Sequence, residues 1–232
     1  MARRAKPLVL VSGFGPFEQV ERNPSGEIAR ALAARPPAGL RVVARVLPAS
    51  FARGPRGWDA LLARSGTPVL CLALGVAKRP GFRLERWASP RLKLVPRPDV
   101  DGHSAHAHSR RGARLATSLP LAPVRAALRR RGVERVRVSS SAGGYVCERV
   151  YHHLLQRAAE RGLPALFVHV PPLRFTPLAR QVQVVRWILA ELLREGASAA
   201  GPRTRRVTPP GRGVGSPRAR TAGRRRRRAR AR

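Results

Sequence analysis

The sequence predicts an α/β fold of three layers, a central and mostly parallel twisted sheet with helices on both faces. Three observations point there. Short apolar runs that read as strands alternate with stretches whose apolar residues recur at helical spacing. One run, Pro68 to Leu74 (PVLCLAL), carries no charged or amide side chain, as suits a strand covered on both sides. Finally, Ser140 to Cys147 (SSAGGYVC) separates the apolar Val136 and Val138 from a helical pattern beginning at Glu148. That order reads as strand, tight glycine turn and helix.

Taken in order, Leu8 to Ser12 is an apolar strand that ends at Gly13-Phe14-Gly15-Pro16-Phe17. Asn23-Pro24-Ser25 then has the form of a helix start, a capping side chain followed by proline in the first turn. Its helix runs through Leu32 and stops before Pro36. Leu40 to Leu47 is a strand, Trp58 to Arg64 a short helix, and Pro68 to Leu74 the central strand before a loop at Gly75-Val76-Ala77. Phe82 and Leu84 suggest a further strand, and Pro90 to Pro98 reads as irregular. Asp99 to Gly102 is a turn. Leu121 to Arg131 is a helix, Val133 to Val138 a strand, and the helix begun near Cys147 closes at Gly162. Ala165 to Val170 is stopped by two prolines. Thr176 to Arg194 is amphipathic, with Leu178, Val182, Val185, Ile188, Leu189 and Leu192 on one stripe. Residues 1–195 are expected to form one domain, and 196–232, rich in Arg, Pro and Gly, a disordered tail.

The formal charge of +35 is almost all arginine, with lysine only at positions 6, 78 and 93. The 13 arginines after Ala200 leave +22 (35 − 13) on the remainder, enough to attract polyanions through charge alone. Alanine, proline and glycine are abundant too, so the skew reads mainly as composition. No apolar run nears the roughly 20 residues that span a bilayer, and Leu8 to Val11 is short for a signal-peptide core. A cytoplasmic location is expected. Cys71 and Cys147 do not make a disulfide framework, and a reducing compartment suits a working thiol.

Cys147 is the leading candidate for chemistry. At a helix N-terminus the unpaired N–H groups and the macrodipole favour an anion, and the thiolate is the nucleophile. The competing reading is a buried cysteine acting as a small apolar residue. A thiol that cleaves an amide needs a base within hydrogen-bond reach and a third group to orient that base. His169 stands at a strand end before two prolines, and Glu85 stands between Leu84 and Trp87. A structural histidine and an arginine-paired carboxylate are their plainer roles. In an open α/β sheet, ligands gather beyond the carboxyl ends of strands, where the Phe14/Phe17 loop, the Gly75 loop, the Cys147 turn and His169 are all expected.

These residues also carry a family resemblance. From about Leu8 to Glu195 the chain resembles the pyroglutamyl peptidase I family, the pyrrolidone-carboxylate cysteine peptidases. The shared pieces are Ser12–Phe17 (SGFGPF), Asn23-Pro24-Ser25, Leu47-Pro48, Leu84-Glu85-Arg86, Ser141–Cys147 (SAGGYVC) and Phe167–Pro171 (FVHVP). The resemblance implies that Cys147 is the nucleophile, His169 the base and Glu85 the orienting carboxylate. It implies removal of an N-terminal pyroglutamate, no cofactor, and a homo-oligomer, often tetrameric. Phe14 and Phe17 match the ring-binding aromatics and Asn23 a nearby asparagine. From the chemistry of the lactam, with one carbonyl and one N–H, main-chain groups around Val76, Tyr145 and Val146 are expected to supply its hydrogen bonds.

The sequence departs from the family at Glu148, where Asn or Asp is usual, and at Pro90, where an asparagine is frequent. An oxyanion-side arginine has no clean counterpart beside Arg91, Lys93 and Arg97, and Lys78-Arg79-Pro80-Gly81 replaces a glycine-rich loop. These departures and the charge keep a second reading open, a peptidase-like scaffold that binds polyanions such as nucleic acid. His103, His106 and His108 lack nearby cysteines or paired carboxylates, so a solvated loop is expected and no metal. Of His152 and His153, at least one is expected to face solvent.

Overall fold

The computed structural model describes residues 5–18, 20–93 and 97–199, which belong to one compact unit, Met1–Ala200. Strands and helices alternate as β1 (Leu8–Phe14), α1 (Pro24–Ala34), β2 (Arg41–Leu47), α2 (Arg53–Arg64), β3 (Leu70–Val76) and β4 (Phe82–Glu85). Next come the short β5 (Trp87–Ala88), α3 (Ala105–His108) and β6 (Leu115–Ala116). Finally α4 (Leu121–Arg130), β7 (Val136–Ser139), α5 (Val146–Ala159), β8 (Ala165–Val170) and α6 (Leu178–Ala199) complete the order. The domain boundary expected at Glu195 falls inside α6, and the expected tail from 200 to 232 lies outside the described residues.

Six strands form one sheet in the order β2-β1-β3-β8-β4-β7. Its faces divide the apolar side chains into two cores. One holds Val9, Leu72, Leu84 and Val168 against α1, α4 and α6. The other holds Leu10, Cys71, Ala73 and Phe167 against α2 and α5. The alternation of side chains along each strand produces this split, and burying both faces makes β3 and β8 continuously apolar. Helix α5 sends Val150, Tyr151, Leu154 and Leu155 into the second core, each aliphatic chain contributing about 2 kcal/mol.

The sheet is mostly parallel, with one antiparallel junction. β1, β2, β3 and β8 are mutually parallel, but β4 is antiparallel to β8 and β7 follows β4. The carboxyl ends of β4 and β7 therefore point away from those of the other four strands. Gly75 and Val76 belong to β3 rather than to a loop. Among the described residues, no helix is long and apolar enough to cross a membrane.

Candidate active site

Three segments converge above the carboxyl end of β3. Cys147 is the second residue of α5, half-buried at the mouth of the helix. Tyr145 occupies the N-cap without a capping side chain, so the N–H groups of the first turn remain directed at the site. The preceding turn is possible because Gly143 and Gly144 take φ of 101° and 76°, conformations that disfavour other residues. Glu148 then locks it. One carboxylate oxygen accepts from Ser89 N at 2.7 Å, and the other from Ser141 Oγ at 2.8 Å and Gly144 N at 3.0 Å. The departure at position 148 is thus a brace for the turn that presents the thiol.

His169 sits on β8, buried, and bonds Glu85 Oε1 through Nδ1 at 2.8 Å. Cys147 is near enough to act on the imidazole as well. Burial pulls the imidazole pKa down. The hydrogen bonds and opposite charges of Cys147 and Glu85 outweigh it and raise it to about 9. A protonated imidazole between a sulfur and a carboxylate is the resulting ground state at neutral pH.

Glu85 ends β4 with none of its surface exposed. Because β4 runs antiparallel, Glu85 pairs with Phe167 and reaches His169 two residues along β8. Tyr151 of α5 donates its hydroxyl to the Glu85 carbonyl at 2.8 Å, tying the carboxylate's strand to the thiol's helix. Burial keeps that phenol far above its ordinary pKa, so it stays a neutral donor.

Gly75 supplies the room. A Cβ there would lie 2.7 Å from Phe167 Cζ, closer than real Cβ contacts come, and a tight 3.1 Å from Cys147 Sγ. Sequence reasoning missed this role, although a glycine at the end of an apolar strand is its signal.

The other expected site residues divide. Phe14 is a core residue, 3% exposed, its ring 6.5 Å from that of Phe167. Phe17 is half-buried in a loop closed by its own bridge to Val20, so the two rings are not an equal sandwich. Asn23 acts within its loop: Oδ1 accepts from Ser25 N and Oγ, and Nδ2 donates to Gly15 O at 2.9 Å. Val76 is half-buried beside Gly75, and Val146 belongs to the second core. Tyr145 donates its hydroxyl to Pro98 O at 2.6 Å and meets Phe51 edge-on.

Arg97, one of three cations considered for the oxyanion side, lies 4.7 Å over the Tyr145 ring and pairs with Glu18 at 3.0 Å. It thereby joins the Phe17 loop to the start of α5. Lys93 is instead packed on Gly144, to whose carbonyl its N–H donates at 2.8 Å.

Two histidine expectations change. His152 is buried and contacts Ala113 O at 3.2 Å, while His153 is held by Asp59 of α2 at 3.0 Å. Neither faces open solvent, because loop 110–115 and α2 cover that side of α5. His103 is exposed, and His108 stacks on Phe51 in a single helical turn. Asp99 and Asp101 lie near His103, yet their oxygens are taken. Asp99 accepts three backbone N–H groups, and Asp101 pairs with Arg53.

A sequence profile of the pyroglutamyl peptidase family matches residues 7–181. The pyrrolidone-carboxylate peptidase 1 of Ralstonia nicotianae is 34% identical over 170 residues, covering 71% of this chain and 78% of that protein. The pyrrolidone-carboxylate peptidase of Chromobacterium violaceum is 36% identical over 171 residues, 70% and 77% of the two chains. Among solved structures, the pyrrolidone carboxyl peptidase of Fervidobacterium islandicum superposes with a TM-score of 0.71 at 29% identity, over 82% of this chain and 99% of its own. Since the matched span contains the glycine turn, Glu85, Cys147 and His169 alike, the chain belongs to the pyroglutamyl peptidase family.

Proposed function

We propose that this cysteine-type peptidase removes an N-terminal pyroglutamyl residue through Cys147, His169 and Glu85. The single observation behind those roles is the convergence at Gly75, which pairs with His169, itself bonded to Glu85, and whose Cβ position lies 3.1 Å from Cys147 Sγ. The Cys147 thiolate attacks the pyroglutamyl carbonyl, and negative charge moves to its oxygen. The Cys147 backbone N–H and one further donor meet that oxygen at the positive end of α5. Collapse breaks the C–N bond while His169 gives its proton to the departing amine, leaving a thioester. Water, deprotonated by His169, then hydrolyses the thioester and restores the thiol. Glu85 keeps the ring oriented and favours its charged form.

In the same reading the uncharged lactam ring lies against Phe14 and Phe17. Val76, Tyr145 and Val146 offer it main-chain groups, and Asn23 holds the aromatic loop in shape. The tetramer implied by the resemblance is part of the reading and is checked by light scattering. The deciding assay is release of aminocoumarin from its pyroglutamyl amide, with iodoacetamide stopping it. Absence of turnover in folded protein refutes the activity, and turnover that survives complete alkylation of Cys147 refutes the thiol's role.

A further inference from the structure

Beyond the lactam slot, one row of residues crosses the sheet from the site to its open edge. Gly75 of β3 pairs with His169 of β8, His169 with Arg83 of β4, and Arg83 with Arg137 of β7. Directly paired residues share a face of the sheet, so both guanidinium groups rise on the same side as the imidazole. At about 4.8 Å per strand, their backbones lie about 5 and 10 Å beyond His169.

On the other side of Gly75, β1 pairs with β3 as far as Ser12 opposite Ala73, and Phe14 and Gly75 each lie two residues further on. The lactam slot and the arginines thus flank the thiol from opposite sides. His169 protonates the departing amine, so the peptide beyond the scissile bond continues over β4 and β7.

We propose that this peptidase prefers pyroglutamyl peptides with acidic residues after the pyroglutamate, whose carboxylates are met by Arg83 and Arg137. The inference rests on the activity proposed above. An extended peptide advances about 3.3 Å per residue, so the two cations come within reach of its first three residues after the cleaved bond.

Among the described residues, Arg79, Arg83, Arg129, Arg135 and Arg137 make no ion pair. They line a concavity of about 330 Å³ at this rim, with Glu134 as its acidic member. Burial and then the neighbouring Arg137 lower the Arg83 pKa, and Glu85 only partly offsets them. An arriving carboxylate relieves that crowding.

The test uses the full chain and three peptides of equal length with Asp-Glu, Ala-Ala or Lys-Lys after pyroglutamate, reading kcat/KM by release of the new amine. The acidic peptide is expected to exceed the basic one by about 10-fold at low salt, about 3-fold for each charge pair. The ratio shrinks as ionic strength rises. The double variant Arg83→Gln, Arg137→Gln brings it near one, while Arg64→Gln at the end of α2 keeps it. Because each ratio is taken within one protein, partial loss of folding cancels, and the salt series on the unaltered chain stands alone as a second measurement. Equal, salt-independent cleavage of all three peptides overturns the inference and leaves the activity standing. Cleavage of none overturns both.

Discussion

The two cysteines of this protein lie over the same face of one sheet and have opposite fates. Cys71, in the middle of β3, pairs with Leu10 on one side and Ala165 on the other, and none of its surface is exposed. Burial pushes its thiol up to about 12, and distant Arg161 offsets this only partly. Cys147 touches the same core but stands at an uncapped helix mouth, with an imidazole as its neighbour. Four residues along β3 separate a core-enclosed sulfur from the place where the proposed nucleophile rests. What differs is not the residue but the supply of a proton acceptor and of oriented N–H groups.

The sharpest way to break the contrast is Cys147→Ala, expected to lower kcat for a pyroglutamyl aminocoumarin amide by about a thousandfold or more. Circular dichroism should be unchanged, because the side chain is only half-buried. Retained turnover ends the thiol mechanism.

Glu85→Gln comes next, with kcat expected to fall about a hundredfold or more as the imidazole loses its orienting charge. It also moves the pH profile. In the unaltered protein His169 keeps its proton up to about pH 9, so the alkaline limb of the kcat profile, read from activity between pH 6 and 10, belongs there. Removing the carboxylate's charge moves that limb to lower pH. The same proton is linked to stability. The folded pKa of about 9 lies above the ordinary 6.5, so this contribution is complete below about 6.5 and is lost as pH rises through about 9. A limb that does not move in the variant detaches Glu85 from His169.

Gly75→Ala tests the space beneath the sulfur. The added methyl must displace the Phe167 ring or the Cys147 side chain, and a misplacement of about 1 Å costs about a hundredfold in turnover. KM for the amide should move less than kcat, since the methyl meets the sulfur and the Phe167 ring first. A kcat within about twofold of the original would mean that the ring simply yields.

How far these relations could be read before the fold was known follows their physical origin. Apolar runs and helical periodicity gave the order of strands and helices, because burial on two faces writes itself into composition. The glycine turn before Cys147 and the prolines after His169 marked two candidates by local geometry, and the family resemblance supplied their proposed roles. Strand direction was not legible: an apolar run reads the same both ways, so the reversal of β4 and β7, and with it the route by which Glu85 reaches His169, stayed hidden. Tyr151 and Glu148 act through partners dozens of positions away, Glu85 and Ser89, and no local pattern marks such pairs. Phe14 is ambiguous in a different way. An aromatic beside glycines reads equally as a ligand platform and as core, and at 3% exposure the core has most of it.

The smallest effect is expected from Cys71→Ala, and it completes the contrast. The substitution removes one buried heavy atom from a packed core, a loss of about 1 kcal/mol in unfolding free energy. Turnover should stay within about twofold, since Cys71 is two strand residues from Ala73 and four from Gly75, with its sulfur enclosed by core side chains. Alkylation makes the same point by rate. In folded protein iodoacetamide should modify one cysteine, Cys147, with loss of activity following label, and Cys71 should react only as fast as the chain unfolds. Mass spectrometry of the labelled peptides reads this directly. If Cys71 is labelled as quickly as Cys147 under native conditions, neither burial nor the neighbouring imidazole sets the two thiols apart, and the contrast fails.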